Sequence, residues 1–422
     1  MKVVIINKSD ATGGAAVVIT RLMEAIRAEG VDARMLVAEK LRPSPYIELA
    51  ASRVSLRRSF MTERLRIFTA NGFDRSTLFK IDTASDGVPL WRHRWVSEAD
   101  VVCLSWVNQG LLSLRGIREL GRLGKPLVWT MHDMWCATGV CHHAYDCRRY
   151  EAQCGDCPLL GQRRSANDLS HSVWRRKQQL YNDTPMHWVA VSNWLAGCCR
   201  RSSLMGRLPV SVIPNAFPTD SLPPLRQRTG TQLRMVAGAA RLDDPVKGLP
   251  LLVETTKVLA HYYPQLAGRL ELVTFGTVRD ASALDGIAVT HRHLGLLYGE
   301  DKVRKVYEEA DIVISSSLYE TLPGTLVEGQ AYGCIPVAFN RGGQSDIVDH
   351  SRTGWLAPFT GDIKTDAAAL AAGVAWAAAQ GDECRQAARR SVVERFSAPA
   401  VARAYISLFN TLLTSASSST KV

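Results

Sequence analysis

The chain has 422 residues, 46% hydrophobic and 22% charged, with ten cysteines and a formal net charge of +11. Its length exceeds the roughly 250–300 residues at which a single core stops growing, so two domains are expected. No run reaches the roughly 18 uninterrupted apolar residues of a membrane span, which leaves a globular protein that does not cross a bilayer.

The opening, MKVVIINKSDATGGAA, reads as a short strand entering a glycine turn. Its apolar segment is too brief for a signal peptide and no cleavage region follows, so the cytoplasm is the expected compartment. There, thiols are more often buried, metal-bound or catalytic than paired as disulfides. After VVIIN (3–7) and the turn at Gly13 and Gly14, a helix-period segment runs from Ala15 to about Ala28 with Val18, Leu22 and Ile26 on one face. A strand, ARMLVA (33–38), precedes a less regular basic stretch over about 42–95. Strands are then expected at 99–106, 126–133, 187–192 and 210–217, with helical segments between them, which is the pattern of parallel β-α-β units.

A proline-bearing linker, SLPPLRQRTGTQ (221–232), separates this half from a second series of strands at 233–240, 269–276, 310–317 and 335–340. The expected organisation is α/β, with two doubly wound Rossmann-like domains. The first covers 1–215 with a cysteine-rich insert at 132–161, and the second covers 216–395. The amphipathic tail helix falls at 396–413, and SASSSTKV after it is expected to fray. The whole excess of positive charge lies before Ala216. Stretches 55–68 and 174–181 interleave basic and large apolar side chains, which suits an anionic membrane surface as well as a solvated basic face.

Ligands of open α/β sheets bind beyond the carboxyl ends of the strands, so the loops there carry the most weight. The loop RLDDPVKGLP places Arg241 and Lys247 before a helix, and cations beside free helix N–H groups form an anion site fit for a diphosphate. SSSLYETLPGTLVEGQAYGCIPVA (315–338) carries Glu320 and Glu328 around a turn at Pro323 and Gly324. Thr325 and Glu328 read as a T-x-x-E capping box. Glu320 has no cap to make, and two carboxylates beside a turn of N–H groups suit sugar hydroxyls. NRGGQSDIV (340–348) adds a Gly342-Gly343 turn that permits close backbone approach to a ligand.

In this order, K-G, E-x7-E and G-G-x-x-D-I-V resemble the donor domain of family 4 glycosyltransferases of the GT-B fold. GGAA (13–16), VIPNAF (212–217) and HLGLL (293–297) fall in the same family's order, so the resemblance spans most of the chain. It is closest to the colanic-acid and capsule exopolysaccharide type. The resemblance implies two domains facing a cleft and a final helix crossing back to the first. It implies retaining transfer from a nucleotide sugar, UDP- or GDP-linked, to a glycan or polyprenyl-diphosphate-linked acceptor. Carried over, Arg241, Lys247 and the turn with Pro323, Gly324 and Thr325 hold the donor diphosphate, and Glu328 binds the ribose. Glu320 lies by the transferred sugar with His132 facing it, and Gly13 and Gly14 form the loop at donor and acceptor. The sequence departs from the commoner motif at Pro323 and Gly329, at Ala216, and at Asp346. Stabilising the leaving diphosphate with Arg241, Lys247 and helix N–H groups requires no catalytic metal or other cofactor. Asp243 and Asp244 stand near that site.

The segment 132–161 holds five of the ten cysteines, and Cys141, Cys147, Cys154 and Cys157 are spaced C-x5-C-x6-C-x2-C. Four thiols closing on C-x-x-C fit structural zinc first, with His142 and His143 as substitute ligands, then reduced or occasionally bridged thiols, and least an iron-sulfur or redox role. A nucleic-acid partner would account for the charge and the cysteines but not for Lys247, Glu320 and Glu328 in the neutral half, so none is expected. A silent sugar-nucleotide-binding subunit keeps every motif and differs only in turnover. The combined expectation is a cytoplasmic enzyme resting on the inner face of the membrane.

Overall fold

The computed structural model describes residues 1–228 and 230–419. These form two compact units, Met1–Ala216 with the chain from Ala398 onward, and Phe217–Ser397.

In the first unit, β1 (Lys2–Ser9), β2 (Asp32–Glu39), β3 (Ile47–Leu49), β4 (Val101–Leu104), β5 (Leu127–Met131), β6 (His187–Ala190) and β7 (Val210–Val212) pair in parallel in the order β3-β2-β1-β4-β5-β6-β7. Helices α1 (Gly14–Ala28), α2 (Arg53–Ala70), α3 (Arg94–Glu98), α4 (Leu114–Gly121), α5 (Leu169–Asp183) and α6 (Asn193–Arg201) connect them. The β-branched runs are buried on both faces, as a sheet covered by helices requires. Helix α1 buries Ala16, Ile19, Leu22, Met23 and Ile26, whereas Val18 is only half-buried.

The second unit repeats the plan. Strands β8 (Leu233–Arg241), β9 (Leu270–Thr277), β10 (Thr290–His293), β11 (Ile312–Ser315), β12 (Ile335–Phe339) and β13 (Trp355–Ala357) are parallel, in the order β10-β9-β8-β11-β12-β13. Its helices are α7 (Leu249–Tyr262), α8 (Pro264–Ala267), α9 (Glu300–Glu308), α10 (Gly324–Ala331), α11 (Ile363–Ala378) and α12 (Asp382–Phe396). The linker entering it is anchored. Arg226 and Arg228 reach the buried Asp311 at 2.6 and 3.1 Å.

Helix α13 (Ala398–Ser419) belongs to the first unit. Val401, Ala402, Tyr405 and Phe409 join the core of Ile19, Leu22 and Met23, and the Tyr405 hydroxyl meets Thr130 Oγ1 at 2.9 Å. Burial of Val401 and Phe409 stabilises by about 1.5–3 kcal/mol each. The helix continues to Ser419, so the fraying expected from Ser415 does not begin there; residues 420–422 of that expectation, like Thr229 of the linker, lie outside the described residues. Among the described residues no helix is long and apolar enough to cross a membrane.

Two features position the sites. Strand order reverses between β1 and β4 in the first sheet and between β8 and β11 in the second. The loops leaving the carboxyl ends of those strands therefore diverge and leave a crevice in each unit.

Candidate active site

In the second unit the loops after β8 and β11 are sewn together. Ser316 Oγ donates to the Lys247 carbonyl at 2.9 Å, and the Leu318 N–H donates to the Val246 carbonyl at 2.7 Å. Gly248 turns with φ +65°, and a Cβ there would stand 2.1 Å from the Ser316 carbonyl, so the approach admits only glycine. This seam delivers Lys247 Nζ to Glu320 Oε1 at 2.6 Å across 73 residues of sequence. Helix α7 starts at the next turn with no side-chain cap, and α10 starts at Gly324 with Pro323 as an N-cap that contributes no side-chain bond. Two uncapped helix N-termini thus flank the ion pair, each a ready partner for an anion.

Arg241 closes β8, and its guanidinium is held by Asp243 at 3.1 Å and Asp244 at 3.8 Å. Those carboxylates are otherwise engaged by backbone, Asp243 with the Arg279 N–H and Asp244 with the Val246 N–H. The capping box does not form. Helix α10 begins at Gly324, one residue before Thr325, which places the threonine inside the helix where its hydroxyl cannot serve as N-cap. Glu328 lies half-buried one turn into α10, close enough that its charge adds to burial in raising the buried Tyr307 hydroxyl.

The Gly342-Gly343 turn has a different task from the one expected of it. The Gly343 N–H donates to the Glu320 carbonyl at 2.8 Å, and a Cβ on Gly343 would lie 1.8 Å from the Thr321 carbonyl oxygen. Gln344 Nε2 donates to the Ser317 carbonyl at 3.2 Å. The glycines make room for the backbone that carries Glu320, and so act on the site through it.

In the first unit, Gly13 is the N-cap of α1 with φ +90°, and neither it nor Gly14 has any atom within 4 Å of the place where a Cβ would sit. The loop therefore stands in open space at the β1–β4 switch point. His132 follows β5; burial lowers its pKa to about 4, against the opposing charge of Asp133, so the ring is neutral near pH 7. Its Nε2 has no hydrogen-bond partner among the described residues.

Asp133 was not anticipated as a site residue. Its Oδ2 receives the Trp106 indole N–H at 2.9 Å and meets His142 Nδ1 at 2.7 Å, while Oδ1 receives the Trp135 N–H at 2.8 Å. Burial works to raise its pKa, but His142, His143 and the backbone hold it well below the usual carboxylate range. Lys177, fully buried, clamps the same loop through the carbonyls of Trp135 and Thr138. The signal available in the sequence was a His-Asp pair just after a strand.

The cysteine segment packs beside this loop, with Ile81 bridged to Cys141. All ten cysteines are free thiols. Burial raises Cys141 and Cys154, and raises Cys157 to about 11. Among the described residues no group of three or more His, Cys, Asp or Glu side chains is arranged to hold a metal ion. The four thiols lie near enough to one another that the charges of Cys154, Cys157 and Cys147 add to burial in raising Cys141. Cys154 Sγ accepts the Gly139 N–H at 3.1 Å.

Residues 12–221 match the family described as Glycosyltransferase Family 4, and residues 234–379 match Glycosyl transferases group 1. The chain belongs to these glycosyltransferases, with two parallel-sheet α/β domains of the GT-B fold. It is 25% identical over 260 residues to WcaC of Escherichia coli, named for colanic acid biosynthesis glycosyl transfer; the match covers 58% of this chain and 60% of WcaC. Sucrose-phosphate synthase of Thermosynechococcus elongatus superposes with a TM-score of 0.61 at 15% identity, over 98% of this chain and 100% of the other. HepE of Anabaena, solved with UDP and glucose, gives 0.59 at 16% identity over 97% and 100%. Both likenesses concern the fold.

Proposed function

We propose that the protein is a retaining glycosyltransferase that moves a sugar from a nucleotide sugar to a glycan or polyprenyl-diphosphate-linked acceptor in exopolysaccharide-type synthesis. The observation that carries this reading is the Lys247–Glu320 pair at the second sheet's switch point, flanked by two uncapped helix N-termini. Rupture of a glycosyl phosphate bond develops charge on the leaving diphosphate. Lys247 and the helix N–H groups offer compensation fixed in advance, and Arg241 adds to it on release from Asp243 and Asp244. Glu320, freed from Lys247 by the arriving diphosphate, is placed to accept hydroxyls of the transferred sugar, and Glu328 those of the ribose. With the charge supplied by side chains and helix ends, the reaction calls on no metal. WcaC supports the exopolysaccharide setting and HepE, bound to UDP, supports a UDP-linked donor.

The acceptor's lipid would bring the enzyme to the cytoplasmic leaflet. Helix α2 supports such docking, since opposite its buried face of Leu56, Ser59, Glu63, Arg64 and Ile67 the side chains of Val54, Met61 and Leu65 are exposed among Arg53, Arg57, Arg58 and Arg66.

The test is release of nucleoside diphosphate from UDP-, GDP- and ADP-sugars, with and without a membrane lipid extract. One donor is expected to be consumed, and Lys247→Ala and Glu328→Ala to lose that activity. Binding without turnover would favour a silent subunit, and no binding would overturn the site.

A further inference from the structure

Beyond the carboxyl ends of β4 and β5 lies a hydrogen-bonded chain that the donor chemistry leaves unused. Trp106 stands at the switch point itself, because its N–H donates to Asn7 Oδ1 at 2.9 Å and its carbonyl accepts the Lys8 N–H, also at 2.9 Å. From β4 its indole reaches across to Asp133, after β5, which in turn holds His142. The two rings lie 5.4 Å apart. The carboxylate on Nδ1 fixes the orientation of the ring and leaves Nε2 as the nitrogen open to another partner. That Nε2 is buried, in a side chain only 9% exposed, and meets no partner among the described residues. Buried polar atoms are rarely left so.

We propose that His142 Nε2 forms an acceptor subsite, sharing a hydrogen bond with a hydroxyl of the glycan to be extended, with Asp133 and Trp106 as positioning residues. The inference rests on the transferase reading. It assigns to the first unit an imidazole suited to a single hydroxyl, in contrast to the cations and helix ends of the second, which suit a diphosphate. No proton need leave the acceptor at this atom. Its part is to bind and orient.

The test compares full-length wild type with His142→Ala, His142→Gln and Asp133→Asn. The donor is the nucleotide sugar consumed in the panel, and the acceptor probes are a membrane lipid extract and octyl glycosides of common hexoses. Release without a probe reports donor hydrolysis, and the increase with a probe reports transfer. His142→Ala is expected to keep hydrolysis and to raise the KM for the probe about 10-fold or more, on the scale of one lost hydrogen bond. Asp133→Asn should act alike, and His142→Gln, which retains an acceptor oxygen, should recover part of the loss. An unchanged KM in His142→Ala overturns the subsite. So does an equal fall of hydrolysis and transfer, or a wild type that hydrolyses donor but responds to neither probe. Should His142→Ala fail to fold, His142→Gln and Asp133→Asn decide by the same split. If wild type consumes no donor, the transferase reading fails instead.

Discussion

At the second sheet's switch point a lysine and a carboxylate stand 2.6 Å apart between two helix N-termini. At the first sheet's switch point two glycines stand in open space, and imidazoles with unpartnered outer nitrogens lie one strand further on. The strand plan is the same in both, so the difference lies in the loops alone. A site of cations and helix ends suits a ligand whose charge changes during reaction, and one of imidazoles suits a ligand recognised by its hydroxyls. The comparison breaks if loss of charge in the second unit harms acceptor use more than donor use.

The largest effect is expected at Lys247. Lys247→Ala removes the cation and leaves Glu320 at the helix ends, and release of nucleoside diphosphate should fall by about 10²–10³. Substitution of Glu320 by Gln frees the lysine, so the diphosphate should bind at least as tightly while turnover drops; calorimetric titration with UDP and GDP separates the two outcomes.

The glycines give a second contrast. Gly343→Ala forces a Cβ into the Thr321 carbonyl and displaces the backbone that carries Glu320. A cost of about 1–3 kcal/mol is expected in thermal unfolding, with loss of donor consumption. Gly14→Ala meets nothing. It should leave melting and donor hydrolysis unchanged and alter only transfer, and a drop in donor hydrolysis would refute the separation of roles.

Much of this was legible because long β-branched runs and loop order survive in one dimension. Lys247, Glu320 and Glu328 were read from motif order, although the proximity of Lys247 and Glu320 needed two loops to be stitched by Ser316 and Gly248. The strands β3, β10 and β13 escaped because they are short, and β10 reads as polar Thr-His-Arg-His. Helix α2 escaped within the basic stretch because both of its faces mix charged and apolar side chains, Glu63 and Arg64 being buried beside Leu56 and Ile67 while Val54, Met61 and Leu65 are exposed, which defeats hydrophobic periodicity. The capping box failed by one residue, the distance at which helix boundaries are least predictable. The Trp106–Asp133–His142 chain joins loops of different strands, and no local spacing announces it.

Helix α2 also supplies a prediction of intermediate size. Met61→Asp with Leu65→Asp should lower sedimentation with anionic phospholipid vesicles by about 10-fold without changing donor hydrolysis, since both side chains are exposed. Retained vesicle binding would remove α2 from the docking surface.

On the buried face of the same helix, Glu63 and Arg64 meet the buried Asp82 of the segment that follows it, Arg64 lying 2.7 Å from Asp82. Burial, and then the Asp82 charge, raise the Glu63 pKa to about 8. Burial works to raise Asp82 too, but Arg64 and the proton on Glu63 keep it ionised. Because the folded value of Glu63 exceeds the unfolded one of 4.5, its contribution is complete below pH 4.5 and is lost as pH rises through about 8. Wild type should therefore lose melting temperature between pH 5 and 9, and Glu63→Gln should flatten that loss. A parallel pH dependence in the variant would show that the carboxyl is not the cause.

The smallest effect tests whether α13 is a working part of the first unit. Tyr405→Phe removes only the hydroxyl that meets Thr130, leaving without its partner a buried Oγ1 on β5, the strand that His132 follows. The cost should be about 1–3 kcal/mol, read as a shift in the urea midpoint of unfolding. Thr130→Val combined with Tyr405→Phe removes both ends and should recover most of that cost, because no buried polar atom is then stranded. Additive losses in the double variant would mean that the bond carries no coupling, and that α13 is held by Val401, Ala402 and Phe409 through apolar packing alone.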